Sequence, residues 1–257
     1  MLFDSHTHIS DEMFEDKDAL ISEIKASSIK YLMDIGTNIE TSRDCIAMAN
    51  ANDFCYAVVG IHPEFASPID DESRAALIEM SKEPKVKAIG EIGLDYHYDD
   101  GVPREIQMQC FAEQLELAKE LKLPVVIHSR DADEDTMRIL KEHKMFSEGY
   151  GVLLHCFSQS AEMARQYAKL GAYISIAGPV TYKNSRKAPE VVNAVPLNQL
   201  LVETDCPYLT PEPLRGRLNK PMYVEYTARK VAEILGMEYE QLAELTLENA
   251  CRFFGIE

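Results

Sequence analysis

The stretch Met1-Leu2-Phe3-Asp4-Ser5-His6-Thr7-His8 sets the pattern that decides the fold, a short apolar run that ends in polar side chains. Similar runs, rich in β-branched or apolar residues, recur along the chain, and each is followed by a longer segment with helical periodicity. This alternation is typical of β/α units. The candidate strands are Met1 to His8, Tyr31 to Gly36, Tyr56 to Ile61, Val86 to Leu94, Pro124 to His128, Gly151 to Phe157, Ala172 to Ile176 and Leu200 to Asp205.

Eight strands that alternate with helices predict a closed (β/α)8 barrel, also called a TIM barrel. Glu105 to Leu121 and Asp131 to Lys144 have helix-forming composition, and Met222 to Phe254 is expected to form two more helices. A doubly wound open sheet is the competing arrangement, but no glycine-rich phosphate loop follows an early strand. A length of 257 residues suits one barrel, so we expect residues 1–257 to form a single domain.

The charge of the chain limits the partners that it can have. The formal net charge of −17 at pH 7 argues against a diffuse electrostatic grip on nucleic acid or on an anionic membrane. A polyanion must therefore be held by local basic loops or by metal ions. The cysteines lack the spacing of a disulfide framework, and neither a signal peptide nor a membrane span is evident. We therefore expect a cytoplasmic protein without an obligate protein partner.

Several polar residues stand at the carboxyl ends of the candidate strands, and a barrel gathers these ends at one face. His6 and His8 are two residues apart, so a strand places both imidazoles on the same side. An imidazole or carboxylate that follows an apolar strand carries a desolvation cost of a few kcal/mol unless it has a partner. Each of these residues alone fits a satisfied structural role, but together they predict a metal centre. The candidate ligands are His6, His8, Glu91, His128, His155 and Asp205.

The set of ligands suits two divalent metal ions. The first ion takes the two histidines of the first strand and Asp205, and the second takes His128 and His155. Glu91 is expected to bridge the ions because a carboxylate offers two oxygens, and each ion keeps an open position for water. Imidazole suits zinc or manganese, whereas magnesium prefers oxygen, so the choice among Mg, Mn and Zn stays open.

Two further carboxylates share the strand alternation of the ligands. Asp4 has the parity of His6, and Glu203 has the parity of Asp205, so both are expected to point into the barrel. Carboxylates in such positions orient the imidazoles that bind a metal. The alternative is that Asp4 and Glu203 form a buried pair satisfied by the backbone or by lysine.

Seven motifs follow one another along the chain: Phe3-Asp4-Ser5-His6-Thr7-His8, Gly60-Ile61-His62-Pro63, Gly90-Glu91-Ile92-Gly93-Leu94-Asp95-Tyr96, Pro124-Val125-Val126-Ile127-His128-Ser129-Arg130, His155-Cys156-Phe157-Ser158, Gly178-Pro179-Val180-Thr181-Tyr182-Lys183-Asn184 and Glu203-Thr204-Asp205-Cys206-Pro207-Tyr208-Leu209. Over essentially the whole chain they resemble the TatD-type deoxyribonucleases, metal-dependent hydrolases of the amidohydrolase-like barrel class. The resemblance implies that the six candidate ligands bind metal. It also implies that the substrate is DNA, as a single strand or at a 3′ end.

The activity that the resemblance implies is 3′ exonuclease-type hydrolysis of a phosphodiester, an ester bond, by a water that the metal ions activate. Besides Glu91, the catalytic residues are then Asp205 and His62. Asp205 is expected to accept the proton of the water as general base, although it is alternatively only a ligand. His62 ends the third strand and is expected to donate a hydrogen bond to a phosphate oxygen. The alternative is a surface histidine that precedes Pro63.

Two short basic segments follow the last two strands. Arg215 to Pro221 resembles the family's Arg-Gly-Lys-x-Asn-x-Pro segment, with Arg217 where lysine is common, and arginine also binds phosphate. We expect Arg215, Arg217 and Lys183 to bind substrate phosphates, despite the acidic character of the whole chain. Alternatively, these charges are only solvated.

Two other functions remain open. The first is a barrel hydrolase of an amide, a lactone or an ester, including an ester bond on an RNA. Many such barrels bridge their metals with a carboxylated lysine, whereas the fourth strand here offers Glu91. The second is an inactive, metal-stabilised interaction protein. Structural zinc sites are usually closed and often use cysteine, but no cysteine occupies a candidate ligand position.

Overall fold

Parallel strands alternate with helices throughout the computed structural model, which describes all residues 1–257. The strands are β1 (Leu2–Thr7), β2 (Ile29–Ile35), β3 (Cys55–Val59), β4 (Val86–Asp95), β5 (Val125–Arg130), β6 (Val152–Leu154), β7 (Tyr173–Ile176) and β8 (Leu200–Val202). The helices are α1 (Lys17–Lys25), α2 (Ile39–Ala51), α3 (Asp71–Met80), α4 (Arg104–Leu121), α5 (Asp133–Glu142), α6 (Ala161–Lys169), α7 (Lys187–Ala194), α8 (Val224–Leu235) and α9 (Tyr239–Phe254). The strands follow chain order in one eight-stranded sheet, which confirms the predicted (β/α)8 fold. None of the helices combines the length and the hydropathy that a membrane crossing requires.

The chain divides into two compact units. The first consists of Met1–Asp34 with His155–Glu257, and the second consists of Ile35–Leu154. The first unit therefore contains β1, β7 and β8, and the second contains β3 to β6. That residues 1–257 form a single domain stays a prediction.

In the first unit, the carboxyl-terminal helix α9 covers the first strand. The ring of Phe3 stacks on Phe254, with the ring centroids 5.8 Å apart. β7 and β8 pair in parallel, and a parallel bridge joins Thr7 to Cys206 just beyond the ends of β1 and β8. β8 is apolar, as strands covered on both faces commonly are. β1 is apolar only at its start and carries buried polar side chains from Asp4 to Thr7.

The second unit is built around β4, its longest strand, which pairs in parallel with β3 and β5. Gly93 in this strand has φ 142°, and a Cβ added to it would lie 2.0 Å from the carbonyl oxygen of His128. No side chain fits that space. The close approach of β4 to β5 beside His128 therefore depends on glycine.

Two strands end three residues earlier than the sequence pattern predicts. β6 ends at Leu154 and β8 ends at Val202, whereas the apolar runs and the polar residues after them predicted strands as far as Phe157 and Asp205. The backbone leaves the extended conformation because Cys156 has φ 42° and Asp205 has φ 57°. His155 and Asp205 consequently lie in turns that directly follow the strands.

Candidate metal centre

Two histidines and one aspartate converge at the ends of β1 and β8, and we refer to His6, His8 and Asp205 as the β1/β8 cluster. The Nε2 atoms of His6 and His8 are 3.3 Å apart. Asp205 Oδ1 lies 3.8 Å from the first and 3.5 Å from the second. Ligand atoms held about 2.1 Å from a tetrahedral metal ion lie about 3.4 Å from one another. The spacing of the three donor atoms therefore fits a divalent cation.

The imidazole of His155 belongs to the same unit and packs against this cluster. Its ring stacks on that of His6, with centroids 3.8 Å apart and planes at 15°. Its Nδ1 lies 3.3 Å from Glu203 Oε1, and the same oxygen accepts a hydrogen bond of 2.6 Å from the backbone N–H of Cys156. Glu203 thus fixes both the ring and the turn that carries it, as a carboxylate behind a metal-binding imidazole does.

Asp4 has different contacts from those expected of a residue that orients an imidazole. Its Oδ1 accepts a hydrogen bond of 2.8 Å from the backbone N–H of Thr204, and its Oδ2 accepts one of 2.6 Å from the Thr204 hydroxyl. Burial raises the pKa of Asp4 well above its usual range, and the bonds from Thr204 oppose that effect only in part. These contacts fit the alternative in which the backbone satisfies the side chain. Asp4 supports the segment that leads to Asp205.

Ser5 is a buried contact of Glu203 that the sequence pattern did not single out. Its hydroxyl lies 2.9 Å from that of Ser175 and 3.4 Å from Glu203 Oε2. The pairing of β1 with β2 shifts its register between Asp4 and Thr7, so strict alternation does not hold there. A serine inside a strand gave no signal for this role, because parity assigned it to the opposite face from Asp4.

The carboxylate of Asp205 is held in its ionised form. Burial raises its pKa, but the hydrogen bond from His8 and the charges of His155 and His6 outweigh that effect, so the net shift is downward. The buried Asn219 stabilises the turn, since its Nδ2 donates to the carbonyl oxygens of Thr204, at 2.9 Å, and Tyr208, at 2.5 Å. An ionised carboxylate in this position can bind a cation or accept a proton.

A second cluster lies in the other unit, and we refer to His62, Glu91 and His128 as the β3–β5 cluster. Glu91 lies within β4 and His128 within β5, whereas His62 lies three residues beyond β3 and does not end that strand as expected. Glu91 Oε1 is 2.7 Å from His128 Nδ1 and 3.6 Å from His62 Nε2. His62 is 7 % exposed, so it is not a surface histidine. Its Nδ1 accepts a hydrogen bond of 3.2 Å from the backbone N–H of Glu64, which places the proton of the neutral ring on Nε2.

Asp95 contacts this cluster, although the sequence pattern did not single it out as a site residue. Its Oδ2 lies 3.0 Å from His128 Nε2, on the far side of the ring from Glu91. Burial opposes ionisation of Asp95, but the hydrogen bonds from His128 and from the backbone of His97 lower its pKa overall. The spacing was an available signal, because Asp95 is four residues after Glu91 and shares its face of the strand.

Two buried glutamines of α4 hold the backbone beside the second cluster. Gln107 accepts from the N–H of Asp95 and donates to its carbonyl, both at 2.8 Å. Gln114 accepts from the N–H of Ile61 at 2.8 Å and donates to its carbonyl at 2.9 Å, directly before His62. The glutamines are seven residues apart and therefore share one face of the helix. One helix thus positions the ends of two strands.

The predicted phosphate-binding residues of the basic loops all lie in the first unit, in the segments that follow β7 and β8. Lys183, Arg215 and Arg217 are exposed. The guanidinium of Arg215 lies over the ring of Tyr182, with its central carbon 4.2 Å from the ring centroid. This contact restricts Arg215 while its N–H donors stay at the surface.

Both clusters offer donors that suit a divalent cation, except that the proton on His62 Nε2 leaves Glu91 and His128 as the candidate ligands of the second. In each cluster the three side-chain atoms lie within 4.8 Å of one another. Neutral imidazole and ionised carboxylate are ligands that zinc, manganese and similar ions accept. Glu203 and Asp95 supply the carboxylates that commonly stand behind such imidazoles.

Comparison with known proteins identifies the family of the chain. A family model described as TatD related DNase matches residues 3–255. The chain is 45 % identical over 257 residues to the uncharacterized metal-dependent hydrolase YabD of Bacillus subtilis, with 100 % of both chains covered. It is 34 % identical over 261 residues to the 3′-5′ ssDNA/RNA exonuclease TatD of Cronobacter sakazakii, covering 98 % of this chain and 97 % of that protein.

A solved structure shows the same fold. The crystal structure of YjjV, a TatD homologue from Escherichia coli K12, superposes with a TM-score of 0.90 at 29 % identity, covering 100 % of this chain and 98 % of that one. The match of the family model extends over almost the entire chain, and the relatives are similar over their full length. The chain therefore belongs to the TatD-related DNase family and is a metal-dependent hydrolase.

Proposed function

We propose that the protein is a deoxyribonuclease that hydrolyses the phosphodiester bond at the 3′ end of single-stranded DNA. The observation that carries the proposal is the β1/β8 cluster, whose three donor atoms are 3.3 to 3.8 Å apart. A relative 34 % identical to this chain is named a 3′-5′ ssDNA/RNA exonuclease, which supports a nucleic acid as substrate. Exposed cations in the loops after β7 and β8 suit its phosphates.

Two divalent ions are the cofactors that we propose. Because the carboxyl ends of all strands share one face in a (β/α)8 barrel, we assign His6, His8 and Asp205 to one ion, His128 and His155 to the other, and Glu91 to both. A divalent cation lowers the pKa of a coordinated water and so supplies a nucleophile near neutral pH.

The side chains of this protein contribute proton transfer and positioning. Asp205 is ionised and accepts the proton of the attacking water at its carboxylate. His62 carries its proton on Nε2 and donates it in a hydrogen bond to a nonbridging phosphate oxygen, where negative charge develops. The phosphates of the DNA strand are bound by Lys183, Arg215 and Arg217. Because Tyr182 already restricts the side chain of Arg215, that side chain loses less conformational entropy on binding.

The test compares substrates after the metal has been removed and restored. The purified protein is stripped with a chelator, supplied with Mg, Mn or Zn, and offered single-stranded DNA labelled at its 5′ end, the same sequence as RNA, and a set of lactones and esters. We expect a ladder of progressively shorter DNA that depends on added metal. The Glu91→Ala variant should retain its fold and lose the ladder.

The controls separate the reaction from the metal site. Hydrolysis of a lactone or an ester without cleavage of any phosphodiester would overturn the nuclease proposal and leave a metal-dependent hydrolase of another substrate. Cleavage of RNA alone would reassign the substrate. A fully active Glu91→Ala protein would refute the proposed role of Glu91.

A further inference from the structure

A cavity of about 400 Å³ opens between the segments that follow β6 and β7. Its apolar lining includes Phe157, Ile176, Val180 and Val191, all of which are buried. Sites for small molecules and cofactors typically have volumes of roughly 300 to 1,000 Å³ with mainly apolar walls. The cavity is therefore large enough for a flat aromatic group, with Phe157 as an aromatic wall.

The rim of the cavity carries positive charge in a strongly acidic chain. Arg186 and Lys187 line it, and Lys183 lies three residues before the first of them. None of the three forms an ion pair, whereas Lys220 and Arg229 in the same unit are each paired with a glutamate. Cationic side chains without an ion-pair partner, beside an apolar cavity, suit a ligand in which an aromatic group is linked to a phosphate.

The cavity adjoins the candidate metal centre through the backbone. Cys156 lines the cavity and directly follows His155, whose ring stacks on that of His6. The N–H of Cys156 donates to the carboxylate of Glu203, so the wall of the cavity and the imidazole are fixed by the same side chain. A group bound in the cavity thus touches the residue next to His155, a candidate ligand.

We infer that this cavity binds the base of the 3′-terminal nucleotide of the substrate, while Arg186 and Lys187 contact a phosphate. The inference rests on the proposed function, since it names the site that binds the end of the DNA substrate. Aromatic walls bind bases through their faces and accept any of the four bases. The cavity therefore supplies affinity for a terminal nucleotide without selecting its sequence.

Binding of a product-like nucleotide tests the inference without requiring cleavage. Affinities for deoxyadenosine 5′-monophosphate and for deoxyribose 5-phosphate, which lacks the base, are measured by calorimetry on the metal-loaded protein. The wild type should bind the nucleotide at least about tenfold more tightly, as expected for a stacked base. Ala188→Trp, which fills the cavity, should abolish that difference and leave the binding of deoxyribose 5-phosphate unchanged.

A double variant and a control keep the test decisive if the tryptophan disturbs folding. Arg186→Ala/Lys187→Ala should weaken both ligands, whereas Lys169→Ala, which removes an exposed cation from the last turn of α6, should weaken neither. Equal binding of the two ligands by the wild type would overturn the inference, as would unchanged binding of both ligands by the double variant.

Cleavage assays distinguish failure of this inference from failure of the proposed function. The wild type should remove a normal 3′-terminal nucleotide faster than an abasic one, and Ala188→Trp should remove both at the slower rate. Metal-dependent cleavage with no preference for the base would overturn the cavity assignment and leave the nuclease intact. Base-dependent binding by a protein that cleaves no phosphodiester would support the cavity and refute the nuclease.

Discussion

The imidazole of His128 lies between two carboxylates, with Glu91 at Nδ1 and Asp95 at Nε2. A ring held in this way would keep its orientation if a metal ion took the place of a proton on one of its nitrogens. A carboxylate that accepts a hydrogen bond from the other ring N–H also makes the imidazole a better metal ligand. We therefore expect Asp95 to act through His128 rather than by touching the substrate.

Replacement of Asp95 by Asn tests this role at the scale of one residue. The variant keeps the size of the side chain but loses its charge, so metal affinity should fall by about 10- to 100-fold. Metal titration followed by calorimetry measures the change. Asp99→Asn removes a nearby exposed carboxylate and should leave the affinity unchanged; equal affinities for the wild type and Asp95→Asn would exclude the role.

The sequence was most informative where a histidine or a carboxylate stands next to an apolar strand, because a polar side chain is unusual there. Histidines and carboxylates near the ends of apolar strands were the signal for His6, His8 and Asp205 as one set, whereas His62 was expected to contact phosphate and not to stand beside Glu91 and His128. The assignment of ligands to ions remains a prediction. The partners of those residues were harder to predict. Ser5 and Asp4 lie in a strand whose pairing with β2 shifts in register, and alternation along a strand contains no information about such a shift or about partners some 200 residues away in the sequence.

Helix α4 shows how one element can position two parts of a site. Gln107 and Gln114 each form two hydrogen bonds with the backbone of one residue at a strand end. Glutamine is common on the surfaces of helices, so neither residue predicted a buried role. Only the packing of α4 against the strands of its unit gives these amides their function.

Gln114→Ala should destabilise the protein and disturb His62. The substitution leaves the buried N–H and carbonyl of Ile61 without their partner, at a cost of about 1–3 kcal/mol for each unsatisfied group. Thermal unfolding measures the loss. Gln109→Ala, on a more exposed face of the same helix, is the matched control, and equal melting temperatures for the two variants would contradict the role.

Gly93→Ala tests the close approach of β4 to β5. The added Cβ would meet the carbonyl oxygen of His128 at 2.0 Å, at a residue with φ 142°. We expect a lower melting temperature together with weaker metal binding, because the strands must separate beside His128, a proposed metal ligand. Gly171→Ala provides a control with positive φ and no neighbouring atom within 4 Å. Wild-type metal affinity in a folded Gly93→Ala protein would argue against the proposed coupling.

At the scale of the whole molecule, the (β/α)8 fold was predictable and the limits of its strands were not. Strand and helix periodicities are properties of local sequence, so the order of elements followed from them. The ends of β6 and β8 depend on turns at Cys156 and Asp205 that long-range interactions stabilise. Those turns also carry the candidate ligands His155 and Asp205, so the site was the least predictable part of the fold.

Because the net charge is −17, we expect DNA to be bound by a few cations near the site and not by the charge of the whole surface. If Lys183, Arg215 and Arg217 each neutralise a phosphate, their joint replacement by Ala should weaken binding. The slope of log affinity against log salt should also become shallower by about 0.7 for each phosphate of a single strand that is no longer neutralised. Fluorescence anisotropy over a salt series measures both the affinity and the slope.

A matched triple variant controls for the change in total charge. Lys25, Lys141 and Lys169 lie in the last turns of α1, α5 and α6, and their replacement by Ala removes the same three charges elsewhere. If the two triple variants had the same salt slope, binding would depend on overall charge and the local assignment would fail.

The most direct test of the central claim is a titration of the metal-free protein with a divalent metal, while release of a labelled 3′-terminal nucleotide from single-stranded DNA is followed. A site built on His6, His8, Glu91, His128, His155 and Asp205 predicts that release requires added metal and rises until two equivalents per chain are bound. Release that continued undiminished in the metal-free protein would contradict the account.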